Sequence, residues 1–239
     1  MGHHVIIAGY PRAGTTLLYN MLREVVRGYE TFDREMKAEK ARQQTKSGYF
    51  ISKRPTDMAD AAELLSKYND ITFVLCVRDP RSILVSEHDH APGQYKISWD
   101  KALKTNKNKG VVGKAPGFLE RHEKLIKVPS EFSKIVFYEQ LVREPDIVQG
   151  QLAPLFNYQF NGKFSAVHTQ SPPPERLALQ LNGVRPVETS RIDSWKNHPH
   201  RIYKQFTQCP TLFSILEYWG YERNSLWFDE IINQVKQGA

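Results

Sequence analysis

Only two cysteines, Cys76 and Cys209, occur in 239 residues, too few for a disulfide framework or a cysteine-based zinc site. Cys76 lies inside an apolar run and reads as a small buried hydrophobe. No apolar run approaches the ~18–20 residues that would span a bilayer. The first strand pattern starts at Val5, which leaves no room before it for a signal peptide. A soluble, cytoplasmic protein is therefore expected, with no nucleic-acid partner and no membrane span. His3 and His4 are given no role, and no set of residues has the spacing of a metal site. Internal repeats are absent as well. What the chain does have is 40% hydrophobic residues, enough for one core, so a single domain over residues 1–239 is expected. Its net charge of +7 favours an anionic ligand without naming one.

The apolar pattern alternates between two periods. VIIAGY (5–10) is a short, continuously apolar run of the kind buried in a parallel sheet. From Thr15 the spacing becomes helical: Leu17, Leu18, Met21, Leu22, Val25 and Val26 recur, with Arg23 and Arg27 between them. YFISK (49–53) is a second strand, followed by Asp57 and an Ala/Leu-rich helix to about Tyr68. ITFVLCV (71–77) is the strongest strand signal and runs into Arg78-Asp79-Pro80, where Asp79 can cap a helix and Pro80 can open it. KIVFY (134–138) is a further strand. A helix is expected from near Pro145, with Ile147, Val148, Leu152 and Leu155 on its apolar face. This alternation predicts an α/β fold with a central parallel sheet flanked by helices. The lysine-rich stretch 101–114 and SPPPE (171–175) read as loops, and apolar residues from Ile202 to Trp219 as helices that close the fold.

Between the first strand and helix lies a loop with the glycine spacing of a phosphate-binding turn. Gly9 and Gly14 stand five apart and Thr16 occupies the hydroxyl position, but Thr15 replaces the usual lysine. A strand–turn–helix gathers unpaired backbone N–H groups at the positive end of a helix dipole, and that suits phosphate. Loss of the lysine argues against ordinary ATP or GTP hydrolysis, and leaves Arg12 as the nearest cation.

YPRAGTTLL (10–18) resembles the 5′-phosphosulfate-binding loop of the sulfotransferases that use 3′-phosphoadenosine 5′-phosphosulfate (PAPS), many of which carry lysine where Arg12 stands. VLCVRDPRSILVSEH (74–88) resembles their 3′-phosphate segment, with Arg78 at a strand end and Ser86 eight residues on, about two turns into the next helix. SRIDSWKNHP (190–199) is similar to their late basic loop, with Arg191, Lys196 and Asn197 as donors and Trp195 able to stack or pack; Arg185 is a distant second cation. FYEQLVREP (137–145) resembles a strand-end signature in which Tyr138 and Glu139 are architectural.

The resemblance implies a P-loop-like sulfotransferase architecture, metal-free transfer of a sulfuryl group from PAPS to a hydroxyl or amine, and release of PAP. The acceptor would be a small molecule or a carbohydrate. It assigns Arg12, Ala13, Gly14, Thr15 and Thr16 to the 5′ end of the donor, and Arg78, Ser86, Arg191, Trp195, Lys196 and Asn197 to its 3′ side. Arg12 and Lys53 would meet charge on the leaving phosphate. The cytosolic branch places its histidine base where this chain has Pro55; carbohydrate-modifying branches use a glutamate after the second strand. Here Glu35 is the first choice, with Asp33, His88 and His90 as alternatives. The stretch 101–114 is read as a solvated loop, with recruitment of an anionic glycan as its functional alternative. Two other readings stay open: a P-loop kinase of nucleotides or small molecules, and an inactive PAP-binding protein of the same fold.

Overall fold

The computed structural model describes residues 2–88, 91–106, 110–167 and 189–238. In chain order its elements are β1 (His3–Gly9), α1 (Thr15–Val25), α2 (Ala38–Gln44), β2 (Tyr49–Lys53), α3 (Ala61–Lys67), β3 (Ile71–Val77), α4 (Pro80–Leu84), β4 (Glu87–His88), β5 (Ala91–Tyr95), β6 (Lys101–Asn106), β7 (Gly110–Pro116), α5 (Phe118–Leu125), β8 (Ser133–Phe137), α6 (Tyr138–Arg143), α7 (Pro145–Leu152), α8 (Pro199–Gln208), α9 (Thr211–Tyr218) and α10 (Leu226–Gln237). They divide between two compact units: Met1–Arg78 with Lys124–Thr189, and Asp79–Glu123 with Ser190–Ala239. Among the described residues no helix is long and apolar enough to cross a membrane.

The first unit is an α/β layer around a parallel four-stranded sheet of order β2-β1-β3-β8. The two central strands are inaccessible along most of their length: Val5, Ile6, Ile7 and Ala8 in β1, and Phe73 to Val77 in β3. Each such aliphatic side chain contributes roughly 1.5–3 kcal/mol by leaving water, which explains why these runs carry no polar alternation. The chain leaves β1 toward β2 and then crosses back to β3 on the other side. Carboxyl ends of parallel strands at such a reversal form a crevice that receives ligands. The loops after β1, β2, β3 and β8 begin there, at Gly9, Lys53, Val77 and Phe137.

Several sequence expectations need correction. β1 begins at His3 rather than Val5, and both leading histidines belong to the sheet. His4 is fully buried, stacks on Phe50 at 4.0 Å and hydrogen-bonds Ser52 Oγ through Nε2 at 2.8 Å. In α7, Val148 and Leu152 are buried as expected, but Ile147 is half-exposed, and Leu155 lies beyond the helix in the turn Ala153–Phe156. The lysine-rich stretch is no simple loop: Lys101–Asn106 and Gly110–Pro116 pair as an antiparallel hairpin. Its Lys101, Lys104 and Lys114 are exposed, and residues 107–109 lie outside the described set. SPPPE (171–175), Arg185 and His90 also lie outside the described residues, as does the side chain of His88.

The second unit holds two antiparallel hairpins, β4–β5 and β6–β7, and the helices α8, α9 and α10. Its centre is aromatic: Phe206 packs edge-on against Phe213 at 5.0 Å and Trp227 at 5.1 Å. Ile202, Leu212 and Leu216 are buried there, whereas Tyr218 is exposed.

Candidate active site

The loop between β1 and α1 is shaped by three residues with positive φ: Gly9 at 132°, Arg12 at 67° and Gly14 at 81°. A Cβ on Gly9 would strike the Cys76 main chain, and one on Gly14 would lie 2.7 Å from Cδ2 of Tyr138. Arg12 has no such exemption; a non-glycine residue in this region costs of order 1–3 kcal/mol and is held there by its surroundings. Arg78 is one of the holders. It is buried at the end of β3, its Nη1 donates to the Arg12 carbonyl at 2.9 Å, and its guanidinium lies 4.3 Å from the Tyr138 ring centroid. Tyr138 is thus a platform beneath both Gly14 and Arg78, which makes its architectural reading concrete.

Gly14 is the N-cap of α1. No side chain caps this helix and its first turn contains no acidic residue. The initial N–H groups and the positive dipole end therefore face the loop uncompensated by side chains, an arrangement that suits an anion. Thr15 is buried, and Thr16 presents its hydroxyl toward β2.

Lys53, the last residue of β2, joins the loop to the segment that precedes α2. Its side chain is 4% exposed; Nζ donates to Thr16 Oγ1 at 2.7 Å and to Glu35 Oε1. Two anchors flank Glu35 and aim it. Tyr19 OH accepts from Phe32 N at 2.6 Å and donates to Phe32 O at 2.8 Å, while Met36 N donates to Lys53 O at 3.1 Å. Glu35 itself remains 42% exposed at its side chain, so one carboxylate faces both a buried cation and solvent. The neighbouring carboxylate Asp33 is directed elsewhere, 3.9 Å from Arg23.

At the start of α2 sits a buried carboxylate that the sequence reading treated only as part of a helix start. Asp57 Oδ2 accepts from Ala38 N at 2.9 Å and fixes the beginning of α2, and burial pushes its carboxyl up to about 6. Burial also pushes the Cys76 thiol up to about 12, consistent with an inert core residue.

The chain belongs to the sulfotransferase family. The family model described as a sulfotransferase domain matches residues 2–170, which contain the whole loop–Lys53–Glu35–Arg78 assembly. Two solved structures are similar: the sulfotransferase domain of the Synechococcus PCC 7002 olefin synthase and that of the curacin biosynthetic pathway. The first is 14% identical over 82% of this chain and 87% of that chain, with a TM-score of 0.47. The second is 14% identical over 82% and 90%, with a TM-score of 0.48. No curated protein matches this sulfotransferase.

The first unit of the sulfotransferase therefore brings together Arg12, Gly14, Thr16, Lys53, Glu35 and Arg78. Ser86, Arg191, Trp195, Lys196 and Asn197 belong to the second unit. There α4 stops at Leu84, so Ser86 follows the helix instead of lying two turns inside it. Asp79 caps the first turn through Arg81 N at 2.8 Å, and past Val85 the Ser86 carbonyl accepts from Lys96 N at 2.7 Å as the chain enters the β4–β5 pairing. Arg191 and Lys196 are exposed on short turns, Thr189–Arg191 and Ser194–Asn197. Trp195 is buried and packs under the Arg81 guanidinium at 4.0 Å. Sequence reading missed Arg81. It is buried, pairs with Asp79 at 2.8 Å and with Glu222 at 2.5 Å, and lies 4.6 Å from the Trp227 ring. Both arginines of the Arg-Asp-Pro-Arg run are buried, and the run itself offers no local sign of that.

Proposed function

We propose that this sulfotransferase transfers the sulfuryl group of PAPS to a hydroxyl or amine of a small-molecule or carbohydrate acceptor and releases PAP. The observation that carries the reading is Lys53, a buried ammonium held between Thr16 of the anion-binding loop and the Glu35 carboxylate. The donor's phosphosulfate would lie against the loop N–H groups of Ala13 to Thr16, with Arg12 beside it. Arg78, Ser86, Arg191, Lys196 and Asn197 are assigned to the 3′-phosphate side, with Trp195 as packing support.

In the reaction the acceptor oxygen forms its bond to sulfur as the bond from sulfur to the bridging phosphate oxygen breaks. The electron pair stays on the leaving phosphate, where Lys53, Arg12 and the loop N–H groups stabilise it. The acceptor proton passes to Glu35. Most of the acceleration in such a transfer comes from positioning and fixed charge.

The test is differential stabilisation. PAP without Mg²⁺ should raise the melting temperature, and ATP with Mg²⁺ should not. The reverse result supports a kinase. Stabilisation by PAP without transfer from labelled PAPS to any acceptor in a broad panel supports an inactive binding protein.

A further inference from the structure

The second unit contains a groove built on one face of α8. Arg201, Lys204, Gln205 and Gln208 fall at i, i+3, i+4 and i+7 and share a side of the helix, while Ile202 and Phe206 are buried. The facing wall runs through Gly93–Lys96 and Ser98–Lys101, and the groove encloses ≈ 730 Å³. That is the size of a small-ligand site.

The two walls are tied together. Gln205 is 2% exposed and accepts from Trp99 N at 2.9 Å. Arg201 donates from Nη2 to Ile97 O at 3.0 Å and from Nε to Leu84 O at 3.3 Å, with its guanidinium 4.5 Å from the Tyr95 ring centroid. The groove is therefore pre-formed, which lowers the ordering cost of binding.

Its charge is unbalanced. Among the described residues that line it, four are cations, Lys96, Lys101, Arg201 and Lys204, and one is a carboxylate, Asp100. Asp100 is already engaged by Ser98 Oγ and lies 3.5 Å from Lys101. Among the described residues half-buried Arg201 donates to the neutral carbonyls of Leu84 and Ile97, and burial lowers its pKa while Tyr95 and Asp100 act to raise it. Between the cations stand Gln94 and Gln208, amides that both donate and accept, and the half-buried ring of Trp99. Bare anions need neither amides nor a ring face; a hydroxyl-rich ring ligand uses both.

We propose that this groove binds a short acidic oligosaccharide. Its carboxylate or sulfate groups meet the lysines and Arg201, its hydroxyls meet Gln94 and Gln208, and a sugar face packs on Trp99. Among the described residues of the lysine-rich hairpin's first strand, Lys101 and Leu103 line the groove, and residues 93–100 and α8 supply the rest of the described lining. The inference does not depend on sulfuryl transfer.

Calorimetry on the full chain at ~0.15 M salt, where diffuse attraction is screened beyond about 8 Å, tests it. A sulfated tetrasaccharide of defined length should bind at one site, while maltotetraose, inorganic sulfate and tripolyphosphate at equal concentration should bind at least about tenfold more weakly. Lys204→Glu should weaken the tetrasaccharide at least about tenfold, whereas the same charge change at exposed Lys236 on α10 should matter less than about twofold. Gln208→Ala, which leaves the charge intact, should also weaken it. No binding, or equal binding of maltotetraose or tripolyphosphate, overturns the proposal. So does an equal loss at Lys204 and Lys236, provided both variants melt with the parent protein.

Discussion

Lys53 and Glu35 form an ion pair beside the loop between β1 and α1, with the lysine buried and the glutamate half in solvent. The same ammonium also holds Thr16, so the site's cation, its hydroxyl and its candidate base form one chain of hydrogen bonds. A charge-assisted contact of this kind fixes the carboxylate, and under the proposed reaction that carboxylate takes the acceptor proton. We expect Glu35→Gln to lower kcat by ~10²–10⁴, with PAP affinity nearly unchanged. A variant that turns over like the parent enzyme would show that Glu35 is not the base.

Lys53→Met keeps an unbranched apolar stem and removes the terminal ammonium with its charge. The buried stem still packs at the end of β2, so the fold should survive while charge on the leaving phosphate loses a partner. A loss of ~10² in kcat is expected, larger than the loss in PAP affinity measured on the same protein. Equal losses in both would make Lys53 a ground-state binding residue only.

Arg78 grips the Arg12 carbonyl and lies over Tyr138, so it acts on the loop, and the proposed donor site also gives it a place on the 3′ side. Arg78→Ala should weaken PAP at least about tenfold by calorimetry. Arg78→Lys should recover only part of this, because a point charge cannot reproduce a planar guanidinium on a ring. Unchanged affinity in the alanine variant would remove Arg78 from the donor site.

His4 is neutral in the fold, with burial as the main cause that holds it down at about 3 against 6.5 in an unfolded chain. Its contribution is present above pH 6.5 and is lost as pH falls toward 3. At pH 5 the loss is about 2 kcal/mol. His4→Gln can still hydrogen-bond Ser52 and has no such proton to take up, so its melting temperature should fall less between pH 7 and pH 5. His122, held down at about 4 by burial, leaves a residual slope in both proteins. Parallel curves would contradict the assignment.

Asp57 has the opposite sign. With its carboxyl raised from 3.8 to about 6, its stabilisation is complete below pH 3.8 and lost as pH rises through 6. At pH 8 the buried charge costs on the order of 3 kcal/mol. Asp57→Asn keeps an oxygen for Ala38 N, so we expect it to melt above the parent at pH 8 and to converge with it toward pH 4. A variant less stable at pH 8 would mean that the pair with Arg54, 3.7 Å away, outweighs desolvation.

By itself the sequence determined the α/β class, the bounds of YFISK and ITFVLCV as strands, and the loop from Gly9 to Thr16. These signals are local: continuous apolar runs, a 3.6-residue period and glycines where φ turns positive. Arg12 was legible as the cation nearest the loop, whereas Lys53, Arg78 and Glu35 were singled out by the family resemblance. Their partners were decided by tertiary structure. Lys53 meets Thr16 and Glu35 because β2 lies beside β1, a pairing that spans 37 and 18 residues of chain and leaves no mark at either end. The early end of α4, the hairpin in the lysine-rich stretch and the platform role of Tyr138 likewise follow from capping and packing with distant backbone. Periodicity in one segment tells which face is apolar; it cannot tell which residue from another segment will stand opposite.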